Sequence, residues 1–127
     1  MRRRTDDRGL TSSALAVLMP ALLFWMMLIV QYGLWFHARQ VANAAAAEAT
    51  DAAQIPGGTA ADGEEAVIEF LRQSGNLEQI VVEVDRTAAM VTVEIRGDAP
   101  QLVPGILWTV TARSAAPVER FIEEPDR

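Results

Sequence analysis

The chain has 127 residues, half of them hydrophobic, a formal net charge of −6 and no cysteine. The acidic balance supplies no basic stripe to neutralise phosphates, which argues against nucleic acid as a partner. Without cysteine there are neither disulfides nor thiolate metal sites.

Residues 1–9 form a basic leader, in which Arg2, Arg3, Arg4 and Arg8 outweigh Asp6 and Asp7. A short polar stretch leads into the apolar run 14–36, interrupted only by Pro20, Gln31, Tyr32 and Gly33. A helix rises roughly 1.5 Å per residue, so about 20 apolar residues cross a hydrocarbon core. Residues 10–36 are therefore assigned as one membrane span. The leader arginines keep the N-terminus cytoplasmic and send the acidic remainder outward. His37 and Arg39 pull weakly the other way. Trp35 and Tyr32 suit an interfacial belt, and Trp25 suits packing within the membrane.

Residues 37–61 form an alanine-rich extension and linker. Alanine has the highest helix propensity, and nothing breaks the pattern before Pro56-Gly57-Gly58. The expectation is one continuous helix from about 12 to 54, on the order of 60 Å long. Its outer half offers small surfaces suited to close packing against other helices. Residues 56–61 read as a linker.

Residues 62–127 read as a small exported α+β domain. Asp62 and Glu65 form a capping box for a second helix, with Val67, Phe70 and Leu71 as its apolar stripe. Glu64, Glu69 and Arg72 face away, and Gly75-Asn76 supplies the stop. Residues 80–85 and 90–96 alternate with period two, placing Ile80, Val82 and Val84 on one face and Val91, Val93 and Ile95 on another. The short 86–89 connection makes them an antiparallel hairpin. Residues 97–105, with Pro100 and Pro104, read as a loop. A third strand over 107–114 puts Trp108, Val110 and Ala112 on one side, and 123–127 is a polar, frayed tail. The fold class is α+β: a long N-terminal transmembrane, pilin-like helix, then a short helix packed on a three-stranded antiparallel sheet.

No set of residues points to catalysis. His37, the single histidine, sits beside Trp35 and Phe36 and reads as interfacial, with no second metal ligand near it in sequence. Ser12, Ser13, Ser74 and Ser114 lack the G-x-S-x-G context of a nucleophile elbow. The carboxylates Asp62, Glu64, Glu65 and Glu69 suit a helix N-terminus and a solvated face. The expectation is a non-enzyme with no catalytic, cofactor or metal residues and no small-molecule substrate.

Four stretches carry a resemblance to a known family. Asp7-Arg8-Gly9 precedes small residues and an apolar helix, and Pro20 lies within that helix. Residues 32–49, YGLWFHARQVANAAAAEA, place a glycine, an aromatic and a basic residue ahead of an alanine helix. Residues 103–121, VPGILWTVTARSAAPVERF, give a proline-glycine loop, a strand and a Pro-Val-acid ending. In this order they resemble the TadE-like proteins, minor pseudopilins of the tight-adherence (Tad, or Flp) pilus machinery. The resemblance implies cleavage by a prepilin peptidase between Gly9 and Leu10. It also implies assembly with other pilins or pseudopilins and the Tad assembly machinery. Partner-helix contact is expected along the helix at Ala14, Pro20, Ala45 and Ala49. The family usually has a glutamate five residues after the cut; here that position is Ala14, and no carboxylate lies between Gly9 and Glu48.

Two other readings fit parts of the sequence. Ala42-Asn43-Ala44 offers an A-x-A-like signal-peptidase site, which would release a secreted domain with a conventional signal peptide. Against it, the apolar run exceeds a signal h-region and the site lies inside a strong helix pattern. The other is an uncleaved single-span accessory protein of a secretion or envelope complex.

Overall fold

The computed structural model describes residues 7–74 and 77–119, with side chains from Ser13 onward. The chain folds as α1 (Asp7–Gln54), α2 (Ala60–Ser74), β1 (Glu78–Arg86), β2 (Met90–Asp98) and β3 (Thr109–Pro117). The α+β class expected from the sequence is the class observed. The expected helix stop at Gly75-Asn76 and the polar tail lie outside the described residues.

The 48 residues of α1 span about 72 Å. The helix begins five residues ahead of the expected position 12, because Gly9, Thr11 and Ser12 lower helix propensity without breaking it. Pro20 lies inside the helix and does not end it.

At the far end of α1 the chain turns through Gly57, which has a φ of 85° and so favours glycine. α2 then starts earlier than the sequence suggested. Thr59, not Asp62, is the N-cap. Its Oγ1 accepts the Asp62 N–H at 3.2 Å, and Asp62 Oδ2 accepts the Thr59 N–H at 2.7 Å. The reciprocal pair is a capping box three residues ahead of the expected Asp62–Glu65 box. Thr59 has the hydroxyl that a cap needs, and Asp62 stands at its third helical position.

The sheet has the order β1-β2-β3, with both pairs antiparallel. In β2, Val91, Val93 and Ile95 are fully buried, as the period-two pattern requires. β2 extends past the expected end at 96, since Gly97 pairs with Val110 and Asp98 with Thr109. Gly97 permits a close approach: a Cβ there would stand 3.0 Å from Leu77 Cδ2 and 3.3 Å from Glu78 O. β3 runs over 109–117 rather than 107–114. It lies at the edge of the sheet, where Pro117, lacking an N–H, can still pair with Met90. Val110 and Ala112 face inward, as expected.

The sequence suggested one helix over the meander; the structure places two there. Ala38, Ala42, Ala45, Ala49 and Ala53 of α1 recur at three- or four-residue spacing and are all fully buried, in one core with Val67, Leu71, Val93 and Ile95. The helix that the alanine stripe meets is α2 of the same chain. A Cβ on Gly63 of α2 would lie 3.1 Å from Ala49 O and 3.3 Å from Ala53 Cβ. Small residues on both helices permit this separation.

Candidate functional site

α1 changes character along its length. Residues 13–26 are all exposed, and this stretch carries Leu15, Val17, Leu18, Leu22, Leu23, Phe24 and Trp25. The most apolar part of the helix has none of its residues buried inside the chain. So long an uncovered apolar column is stable in a lipid hydrocarbon phase and not in water. From Gln31 onward the same helix becomes the wall of the folded domain.

Gln31 marks the changeover. Read along the sequence it is an interruption in the span; in the fold it is completely buried. Its Oε1 accepts N–H groups from Leu102 at 2.7 Å and Val103 at 3.3 Å, and its Nε2 donates to Pro100 O at 3.1 Å. A buried amide needs such partners, because leaving them unmade costs the full desolvation of the group. The general rule that a lone amide in an apolar run must be satisfied could have flagged Gln31. Nothing local names the loop that satisfies it.

One turn further on, Trp35 packs edge-on against Trp108, with ring centroids 5.9 Å apart, and in a tilted arrangement against Tyr32 at 5.8 Å. The Arg39 guanidinium lies 5.7 Å from the centre of the Trp35 ring. Trp35 Nε1 points to Thr109 O at 3.4 Å. Half-buried Trp35 therefore packs inside the chain, whereas Tyr32 remains exposed.

At the opposite end of the domain, Arg86 of β1 closes α1. Its Nε donates to Ala53 O at 2.8 Å, placing a cation on the last turn, where the helix dipole is negative. The Glu119 N–H donates to Gln54 O at 3.0 Å. The sheet thus lies along α1 between two fixed points, Gln31 and Ala53.

The residues expected to act on partners fall in different environments. Gly9 and Leu10 lie in the first turn of α1, with their side chains outside the described residues. Ala14 and Pro20 are exposed on the apolar column. Ala45 and Ala49 are fully buried in the chain's own core, so their surface is already occupied. His37 is exposed, and no cluster of three His, Asp or Glu able to hold a metal occurs among the described residues.

Two surface carboxylates have perturbed titration. The Thr59 hydroxyl and backbone N–H hold the Asp62 carboxyl below its usual range, and Arg72 and then Gln73 do the same for Glu69. Both serve α2 itself. An apolar groove of about 470 Å³ runs between α2 and β1, lined by Val67, Ile68, Leu71, Arg72, Ile80 and Val82.

No curated protein and no solved structure matches the chain. Residues 13–51, which hold the apolar column, the Gln31 clasp and most of the alanine stripe, match the TadE family, described as TadE-like protein, the family that the sequence motifs resemble.

Proposed function

We propose that this protein is a non-enzymatic structural or assembly subunit of a tight-adherence pilus system, a TadE-like minor pseudopilin. In this reading α1 anchors it in a bacterial plasma membrane, with leader 1–9 cytoplasmic and the α2–sheet unit outside. The observation that carries the reading is the coincidence of the family match over 13–51 with a single helix of two halves. The inner half is uncovered and apolar, and the outer half is built into a small domain.

Prepilin peptidase would cut between Gly9 and Leu10. The new amine at Leu10 could then pair with a glutamate of a neighbouring pilin. Ala14 stands where this subunit would offer its own carboxylate, so the joint is one-sided. Such a joint suits a scarce or terminal subunit better than a repeating one. Partner helices would meet the exposed positions, Ala14 and Pro20 among them, since Ala45 and Ala49 are covered. The same Ala14 favours the second reading, an uncleaved single-span accessory protein of a secretion or envelope complex. A conventional signal peptide cut after Ala44 would strip Gln31, Ala38, Val41 and Ala42 from the core, which disfavours a secreted domain.

Photo-cross-linking from Ala14 and Leu18 in native membranes tests the proposal. Adducts with one or a few glutamate-bearing pilins are expected, with Ala14→Glu adding self-association. Abundant self-cross-linked ladders that persist when other pilins are deleted would overturn it.

A further inference from the structure

The loop between β2 and β3 is held at the outer end of the apolar column. Three of its backbone groups, Pro100 O, Leu102 N and Val103 N, are tied to the one side chain of Gln31. From residue 13 to residue 30 the helix rises about 26 Å, close to the roughly 30 Å of a bilayer hydrocarbon core. The clasp therefore sets the loop at the edge of the hydrocarbon if the column fills the membrane.

What the loop presents at that level is apolar. Leu107 is 72% exposed, more than any other large hydrophobic residue beyond the clasp among the described residues, and Leu102 and Ile106 are 42% and 38% exposed. No charged residue occurs from 99 to 112 in a chain that is 22% charged. The backbone is shaped in advance by Pro100, Pro104 and Gly105, whose φ is 85°, so little ordering cost remains on burial. Val30, Tyr32 and Phe36, on the sides of α1 that flank or face away from the loop, are also exposed at this level, and Tyr32 is of the type that favours a bilayer boundary.

We propose that the loop over 101–107 is a membrane foot. Leu102, Ile106 and Leu107 enter the interface of the outer leaflet beside α1, giving the domain a second lipid contact. Gln31 sets the depth of this contact and, together with the Arg86–Ala53 link, fixes the orientation of the sheet to the membrane. The occupant is lipid, because Gln31 holds this uncharged, apolar loop at the upper end of the uncovered column, the level of the bilayer boundary. The inference rests on α1 being the span.

The chain contains no cysteine, so single-cysteine variants carry one label each. Leu107→Cys, Leu22→Cys and Met90→Cys would be labelled with an environment-sensitive fluorophore in the full chain. Each would be reconstituted in phosphatidylcholine–phosphatidylglycerol vesicles carrying nitroxide lipids. Met90 is an exposed apolar residue at the other end of the sheet, and Leu22 lies in the middle of the column. The expected result is quenching of Leu22 by deep nitroxides and several-fold stronger quenching of Leu107 than of Met90 by shallow ones. A quenched Leu22 with Leu107 as open to iodide as Met90 would overturn the foot while leaving the span intact. A blue-shifted Leu107 label that no lipid nitroxide reaches would mean a protein covers the loop, which also overturns it. An unquenched Leu22 label would instead refute the span, and the foot with it.

Discussion

Gln31 and Leu102 are 71 positions apart in the chain, yet the Leu102 N–H donates to the fully buried Gln31 Oε1 at 2.7 Å. This bond joins the top of the apolar column to the base of the sheet. It makes α1 one object with the domain rather than a tether beneath it.

Replacing Gln31 with Leu would remove the partner of Leu102 N–H, Pro100 O and Val103 N–H, the last of which is buried. The expected loss is about 1–3 kcal/mol, the desolvation cost of an unpaired buried group. Thermal unfolding of the full chain in detergent should show it, together with faster proteolysis within 99–108. Unchanged cleavage in that loop would show that the clasp does not hold it.

Burying a charge tests the sheet register. Val93 is fully buried and its neighbour Thr92 faces the other way. Val93→Asp would place an unpaired carboxylate in the core, at a cost of several kcal/mol. Thr92→Asp should be mild by comparison. Equal melting of the two variants would refute the register.

Arg86→Ala removes the guanidinium from Ala53 O and leaves the end of α1 with an unmet carbonyl. A charge-assisted bond of this kind contributes roughly 1.5–3 kcal/mol. Arg86→Gln, which retains a donor, should recover part of the loss. Hydrogen exchange at the amides of the last turn of α1 would report it as faster opening, and unchanged exchange would dismiss the cap.

Acid should loosen the start of α2. The Asp62 carboxyl is depressed by its bonds from Thr59. A depressed acid contributes stability that is complete above the unfolded value near pH 4 and is lost as pH falls through the lower folded value. Amide protection in 60–63 should therefore fall on acidification beyond that point. Asp62→Asn should start with weaker protection at neutral pH and respond less to acid. An equal acid response in both forms would assign the effect to another group.

The parts of the fold legible in the sequence are those with local signatures. The alternation at 91, 93 and 95 located β2 and its buried face, and the stripe at 67 and 71 located α2. Strand ends were missed where side chains carry no pattern: Gly97 has none, and Ala115-Ala116-Pro117 offers no apolar alternation. The helix cap was misplaced because both Thr59–Asp62 and Asp62–Glu65 satisfy the same spacing, and tertiary geometry chose the earlier pair. The burial of Ala45 and Ala49 depends on Gly63 of another helix. Gln31 was visible as an oddity, but its partners are long-range backbone groups that no residue pattern encodes.

In the proposed function one processed helix serves both as pilin-type anchor and as wall of the exported domain. The most direct test is the N-terminal residue of the protein recovered from bacterial membranes. Leu10 is expected, with the whole of α1 beyond it retained. Met1 would contradict processing and favour the uncleaved anchor; Ala45 would contradict the anchor itself.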